Sequence, residues 1–201
     1  MNERIGTLVQ GIKALEAELE VELARRRIEL NFVVHEGKIR FEQVVIARHR
    51  AAKMGLTRYI LGSRPLMVLT GPLIYSLILP FALLDAFVTL YQVACFRVYG
   101  VPLVRRGDYL VFDRGHLAYL NAIEKLNCVY CSYANGLIGY VREVASRTEQ
   151  YWCPIKHARR VIAAHDHYAA FLDYGDADAY RRDLPTLRQD LQKSGAHGDS
   201  P

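Results

Sequence analysis

Several things are scarce in this chain, and each scarcity excludes a class. Only four of its 201 residues are cysteine, too few at this length for a small disulfide scaffold. Neither sign of charge dominates. The 26 basic and 21 acidic residues leave +5, too mild a balance to imply a nucleic-acid partner. No phosphate-binding glycine loop, nucleophile elbow or internal repeat occurs, so no nucleotide cofactor is expected. The N-terminus continues from Met1-Asn2-Glu3-Arg4 into a charged stretch with no apolar core before Ile28, so no cleavable signal peptide is expected. What is abundant is apolar: hydrophobic residues make up 51%, which rules out a disordered or collagen-like chain. The length suits one domain of ordinary size, alone or with appendages.

That average hides two populations. Residues 66–84 are 19 positions without a charge, whereas 159–190 is mostly charged and polar. Over residues 66–96 the single charge is Asp85. As a helix the uncharged stretch measures roughly 28 Å, close to a hydrocarbon core of about 30 Å. A membrane-associated segment is therefore expected, in contact with lipids. Two spans would need about 40 residues, which this segment lacks. Residues 48–64 carry five Lys/Arg and no acid, and the other flank carries Arg97, Arg105, Arg106 and Arg114. Both flanks read as cytoplasmic under the positive-inside rule. That favours a re-entrant or monotopic segment, broken near Pro80 and closed around Asp85, over one tilted span. Tyr91 and Tyr99 suit an interfacial position in either case.

Before this segment, Ile5, Leu8, Ile12, Leu15 and Leu19 recur at helical spacing with glutamates between. They predict an amphipathic helix packed on its own domain, with homodimerisation as the lesser option. The period falls to two at Phe32 and Val34 and again at Ile39 and Phe41. Around His35-Glu36-Gly37-Lys38 this predicts a short β-hairpin. Residues 42–61 predict a basic helix, suited to an anionic leaflet or to solvent. The expected fold is thus mainly α and membrane-associated. It divides into 1–64 (helix, hairpin and basic helix), 65–98 (one transmembrane or re-entrant segment), 99–191 (a helical Cys/His domain) and 192–201 (a disordered tail).

The chemistry is concentrated after Tyr109. From Leu117 a helical stripe runs through Leu120, Ile123, Asn127 and Tyr130, beside a second stripe of Glu124, Cys128, Cys131 and Asn135. One helical face therefore carries a carboxylate and two thiols, until Asn135-Gly136 bends or breaks it. Pro154 suits the first position of a new helix, which would make Cys153 its cap and favour the thiolate. His157 lies one turn on. Together these give Cys-x2-Cys, 21 residues, then Cys-x3-His, a complete tetrahedral set for Zn or Fe through Cys128, Cys131, Cys153 and His157. The alternatives are an iron–sulfur or redox centre on the same set, a Cys128/Cys131 dithiol switch, or ordinary core and free thiols. Cys95, in the apolar segment, reads as simply buried. Glu124, Glu143, Glu149 and Asp85 are the carboxylates that would support such a site or act as acids and bases. Ser146-x-x-Glu149 also reads as a capping box. His165-Asp166-His167 reads as a solvated pair on the next helix. Residues 173–178 lack the ligand pattern of a calcium loop and read as a turn with acidic caps.

The run from Tyr119 to Gly136, with Asn127-Cys128-Val129-Tyr130-Cys131 at its centre, and the run Trp152-Cys153-Pro154-Ile155-Lys156-His157 together resemble a group of small bacterial membrane-associated proteins. The resemblance covers about half the chain and implies a bacterial, membrane-associated protein without supplying an activity. The function expected is a membrane-attached metal-binding module with a structural or partner-docking role. Its Cys/His domain would face the cytoplasm at the inner membrane. The rival is a membrane-bound metal-dependent or redox enzyme acting on a lipid or quinone-like substrate.

Overall fold

The computed structural model describes residues 3–29, 32–35, 38–41 and 43–194. The chain is mainly helical, in the order α1 (Glu3–Glu29), β1 (Phe32–His35), β2 (Lys38–Phe41), α2 (Gln43–Ala51), α3 (Leu56–Gly62), α4 (Pro65–Ser76), α5 (Ile78–Tyr91), a π-helical turn (Gln92–Phe96), α6 (Arg97–Tyr99), α7 (Ala122–Trp152) and α8 (Ala177–Ser194). Its contacts form two units. One comprises the described residues of Met1–Val9, Ala82–Tyr109 and Leu137–Pro201, and the other Gln10–Phe81 and Leu110–Gly136. The two interleave along the sequence.

Helix α1 does not pack as its pattern predicts. Leu8, Ile12, Leu15 and Leu19 are each more than half exposed. β1 and β2 pair antiparallel, with Phe32 opposite Phe41 and His35 opposite Lys38; Glu36 and Gly37 lie outside the described residues. The single basic helix expected over 42–61 is two helices, because Gly55 caps the start of α3 in an extended conformation. His49 of α2 meets the ring of Phe41 on one side and that of Tyr119 on the other, with centroids 5.1 and 5.0 Å away.

The apolar segment is one helical run from Pro65 to Tyr99, so no re-entrant hairpin forms. Pro80 fails to break it because it is the third residue of α5, in the first turn, where a missing N–H is tolerated. The only concession is local. Leu77, between α4 and α5, donates its N–H to Ile74 O at 3.3 Å in a tightened turn, and Phe81 resumes the ladder by donating to Leu77 O at 3.2 Å. None of the most apolar 18-residue stretch of this helix is buried.

In the first unit the π turn brings Gln92 into the core. Its amide oxygen accepts the Val104 N–H at 3.0 Å, while its nitrogen donates to Val104 O at 3.2 Å and to Tyr140 Oη at 2.7 Å. Phe96, Leu137, Tyr140, Val144 and Leu191 bury almost completely around it. Gly100 ends α6 at φ 66°, a left-handed conformation that favours glycine. Asp85 is a mid-helix residue of α5 that accepts from Arg106 Nε at 3.1 Å and Nη2 at 2.5 Å. Helix α8 is held by Gln192 Nε2 donating to Tyr99 O at 2.8 Å and Arg188 Nε donating to Tyr151 O at 2.7 Å. Asp176 Oδ1 accepts the Ala179 N–H at 2.8 Å, which is the acidic cap expected there. Residues 192–194, expected in the tail, close α8, and 195–201 lie outside the described residues.

Helix α7 carries most of the candidate residues. It starts at a capping box formed by Asn121 and Glu124. Asn121 Oδ1 accepts from the N–H groups of Ile123 and Glu124 at 3.0 and 3.1 Å, and Glu124 Oε2 accepts the Asn121 N–H at 2.8 Å. Asn135-Gly136 does not stop it. The Asn135 amide donates to Cys131 O at 2.9 Å on the same helix, so the ladder passes through unbroken. Gly139 is needed for close approach, since a Cβ there would lie 3.1 Å from the Tyr109 ring.

Candidate functional site

Because α7 is continuous, it sets where the expected metal ligands lie. Cys131 and Cys153 are 22 residues apart along one helix and its last turn, roughly 33 Å at 1.5 Å per residue. A tetrahedral ion spans only a few ångströms, so the Cys3His set is not assembled. Among the described residues no group of three or more His, Cys, Asp or Glu is placed to hold a metal. Nor does the Pro154 helix form. The Cys153 N–H donates to Glu149 O at 2.7 Å, which makes Cys153 the last turn of α7, at the negative end of a helix dipole. Residues 154–156 then extend and bridge to Leu172, with Leu172 N–H donating to Pro154 O at 2.8 Å. The His157 ring stacks on Tyr168 at 6.2 Å. All four cysteines are free thiols. Cys128 and Cys131 are one turn apart on a regular helix, which separates their Cβ atoms by about 5–6 Å, beyond disulfide reach.

The remaining carboxylates separate by role. Glu124 is spent on the capping box and Asp85 on Arg106. Ser146 and Glu149 cannot form the expected box because both are mid-helix, and Ser146 Oγ donates back to Glu143 O at 2.8 Å. Glu143 and Glu149 instead meet the two histidines expected to be solvated. His165 and His167 flank no helix of their own; they open a 3-10 turn, Asp166–Ala170, that lies against α7.

Glu143 Oε1 accepts from Arg147 Nε at 2.7 Å and lies 3.2 Å from His167 Nε2. The hydrogen bond from His167, with that from Arg147, holds the Glu143 carboxyl down to about 2, although burial pushes it up. Arg147 is itself fixed by donating to Pro102 O at 2.8 Å. Burial beside Glu143 raises the Tyr109 phenol. The second pair is Glu149 Oε2 with His165 Nε2, 3.0 Å apart. The His165 side chain is only 15% exposed, enclosed by Phe171 at 5.2 Å and Tyr168 at 5.9 Å. Its Nδ1 is buried without a hydrogen-bond partner. A carboxylate on Nε2 fixes the tautomer that leaves a lone pair on Nδ1. The segment before it is clamped, with Arg142 Nη2 donating to Ala163 O and Ala164 O at 2.7 Å each, and Ala163 is held at φ 56°.

Glu149 has a second neighbour. It is part of the wall of a cleft of about 390 Å³ otherwise bounded by Val88, Tyr91, Val144, Thr148 and Trp152. Of this pair, Glu149 borders an apolar space beside α5, and His165 lies behind it. A carboxylate held in this way can exchange a proton with a bound molecule. Of the expected residues the structure gives Glu143 and Glu149 one histidine partner each, and leaves Cys128, Cys131, Cys153 and His157 outside both pairs. No local pattern points from these glutamates to their histidine partners. They sit two apart on an irregular segment and meet glutamates six apart on a helix, so no single period relates them. No family model, curated protein or solved structure matches the chain.

Proposed function

We propose that the chain is a monotopic protein of the bacterial cytoplasmic membrane, carrying an acid–base site for an apolar, lipid-class substrate. The observation that carries this reading is Glu149, held by His165, in the wall of an apolar cleft shared with Val88 and Tyr91 of the apolar helix. Glu149, the titratable group on the cleft wall, takes or gives the proton, and His165 holds its carboxylate in position. Glu143, Arg147 and His167 keep the supporting turn on α7. General acid–base groups of this kind contribute about 10²–10⁴-fold.

The apolar helix supports a place in the membrane interface. Leu66, Met67, Leu69, Leu73, Leu79, Phe87, Leu90 and Val98 are each at least 65% exposed. In water so much exposed apolar surface would be a large hydrophobic cost. A full crossing fits poorly. Arg106 and Val104 of the irregular 100–121 connection lie against Asp85 and Gln92, and irregular backbone is not tolerated facing hydrocarbon. A helix lying in the interface leaves that connection on the aqueous side, with both basic flanks cytoplasmic.

Topology is tested with Lys53→Cys and Arg114→Cys, each in a cysteine-free background. Both positions are expected to react with an impermeant maleimide from the cytoplasmic face only; reaction from opposite faces overturns the monotopic reading. Activity is tested in vesicles of radiolabelled total bacterial lipid, resolved chromatographically. The wild type is expected to convert one lipid class, with Glu149→Gln and His165→Gln slower by about 100-fold. A wild type that converts none, or variants as fast as wild type, overturns the acid–base reading.

A further inference from the structure

The second unit holds a larger cavity, of about 570 Å³, between α3, α4 and the start of α7. That volume is within the range of small-molecule sites, roughly 300–1,000 Å³. Its walls include Ile60, Met67, Val68 and Ile123, and three tyrosines: Tyr59, Tyr75 and Tyr130. The polar groups are few and ordered. Tyr75 Oη donates to Asn127 Oδ1, which fixes the amide and leaves its two N–H donors for another acceptor. Tyr130 Oη is occupied, donating to Ile74 O at 2.9 Å. Cys131, one turn beyond Asn127, adds a weak S–H donor at the wall.

Gly71 makes the wall open. It lies inside α4, where glycine costs helix stability, yet a Cβ added there would meet nothing within 4 Å. The wall at Gly71 therefore has room for added side-chain atoms. The set of available donors without a charged side chain selects an uncharged acceptor, and tyrosine rings suit a flat one.

We propose that this cavity binds an apolar ring bearing carbonyl oxygens, of the quinone class, with Asn127 donating to a carbonyl. The site is separate from the Glu149–His165 pair, and binding here requires no turnover there.

The test uses the full chain in detergent with Cys95, Cys128 and Cys153 changed to serine, so that Cys131 is the single thiol. Decylubiquinone is expected to slow maleimide labelling of Cys131 at least tenfold, saturably. Gly71→Leu, which fills the space with a better helix former, is expected to keep the helical content and melting temperature while abolishing that protection. Asn127→Leu is expected to weaken protection at least tenfold. Decylbenzene, with the same tail and no carbonyl, is expected to give none. Equal protection by decylbenzene overturns carbonyl recognition. Protection by dioleoylphosphatidylglycerol but not by the quinone assigns the cavity to lipid ester and overturns the quinone class. No protection by any probe, or protection that survives in Gly71→Leu, overturns the site.

Discussion

Arg106→Ala is expected to destabilise the first unit by about 2 kcal/mol, the scale of leaving a largely dehydrated carboxylate without its charged partner. Asp85 is on the most apolar helix of the chain and its side chain is 14% exposed, whereas that of Arg106 is 46% exposed. The asymmetry decides the sign of each change. Losing the guanidinium deprives a largely dehydrated carboxylate of its bidentate partner. Losing the carboxylate frees an arginine that already reaches water. Asp85→Asn is therefore expected to cost about 1 kcal/mol, the scale of one net hydrogen bond, and Asp85→Asn with Arg106→Ala to recover most of the single-variant loss. The measurement is thermal or urea unfolding in detergent by circular dichroism. An Arg106→Ala protein within about 0.5 kcal/mol of wild type would remove the ion pair as the link between α5 and the connection that follows α6.

The second large effect is on acid stability. The folded Glu143 carboxyl is held at about 2, below its ordinary 4.5. A depressed carboxylate stabilises the fold above its unfolded pKa and loses that contribution as pH falls through the folded value. The window is therefore about pH 5 down to pH 2. Taken whole, the shift is worth about 3 kcal/mol; solvent around a pair that is not fully enclosed reduces this to about 2 kcal/mol. Unfolding midpoints across pH 2–7 are expected to show wild type losing that amount more than Glu143→Gln over the same window. Asp173 and Asp183 are also lowered, first by hydrogen bonds from Lys156 and Arg182 respectively, and act in the same direction from the surface. An acid limb unchanged by Glu143→Gln would show that those exposed pairs, not the His167–Glu143–Arg147 cluster, set the acid stability.

How much was legible in advance depends on how local the cause is. The helix over the apolar segment follows from composition, because 19 uncharged residues in a row admit few other backbone solutions. The acidic cap before α8 is equally local, a short side chain reaching its own backbone. The expected metal ligands lie apart for the opposite reason. Cys-x2-Cys and Cys-x3-His suggest convergence only if the chain turns between them. Asn135-Gly136 supplied a plausible turn, and two weak helix formers do not stop a helix whose sides are packed. Ser146-x-x-Glu149 failed in the same way, since a capping box is meaningful only where a helix begins.

By itself, the sequence determined the elements whose causes lie within a few residues: the helical character, the uncharged apolar face and the basic flanks. Only the tertiary structure decided which charges are neutralised and which polar groups share a site. Asp85 found Arg106 21 residues away, Glu149 found His165 across 16, and Tyr75 found Asn127 across 52. Contacts of that separation depend on how α5 and α4 lie against α7. Packing sets that arrangement, and packing is a property of whole faces that no local period encodes.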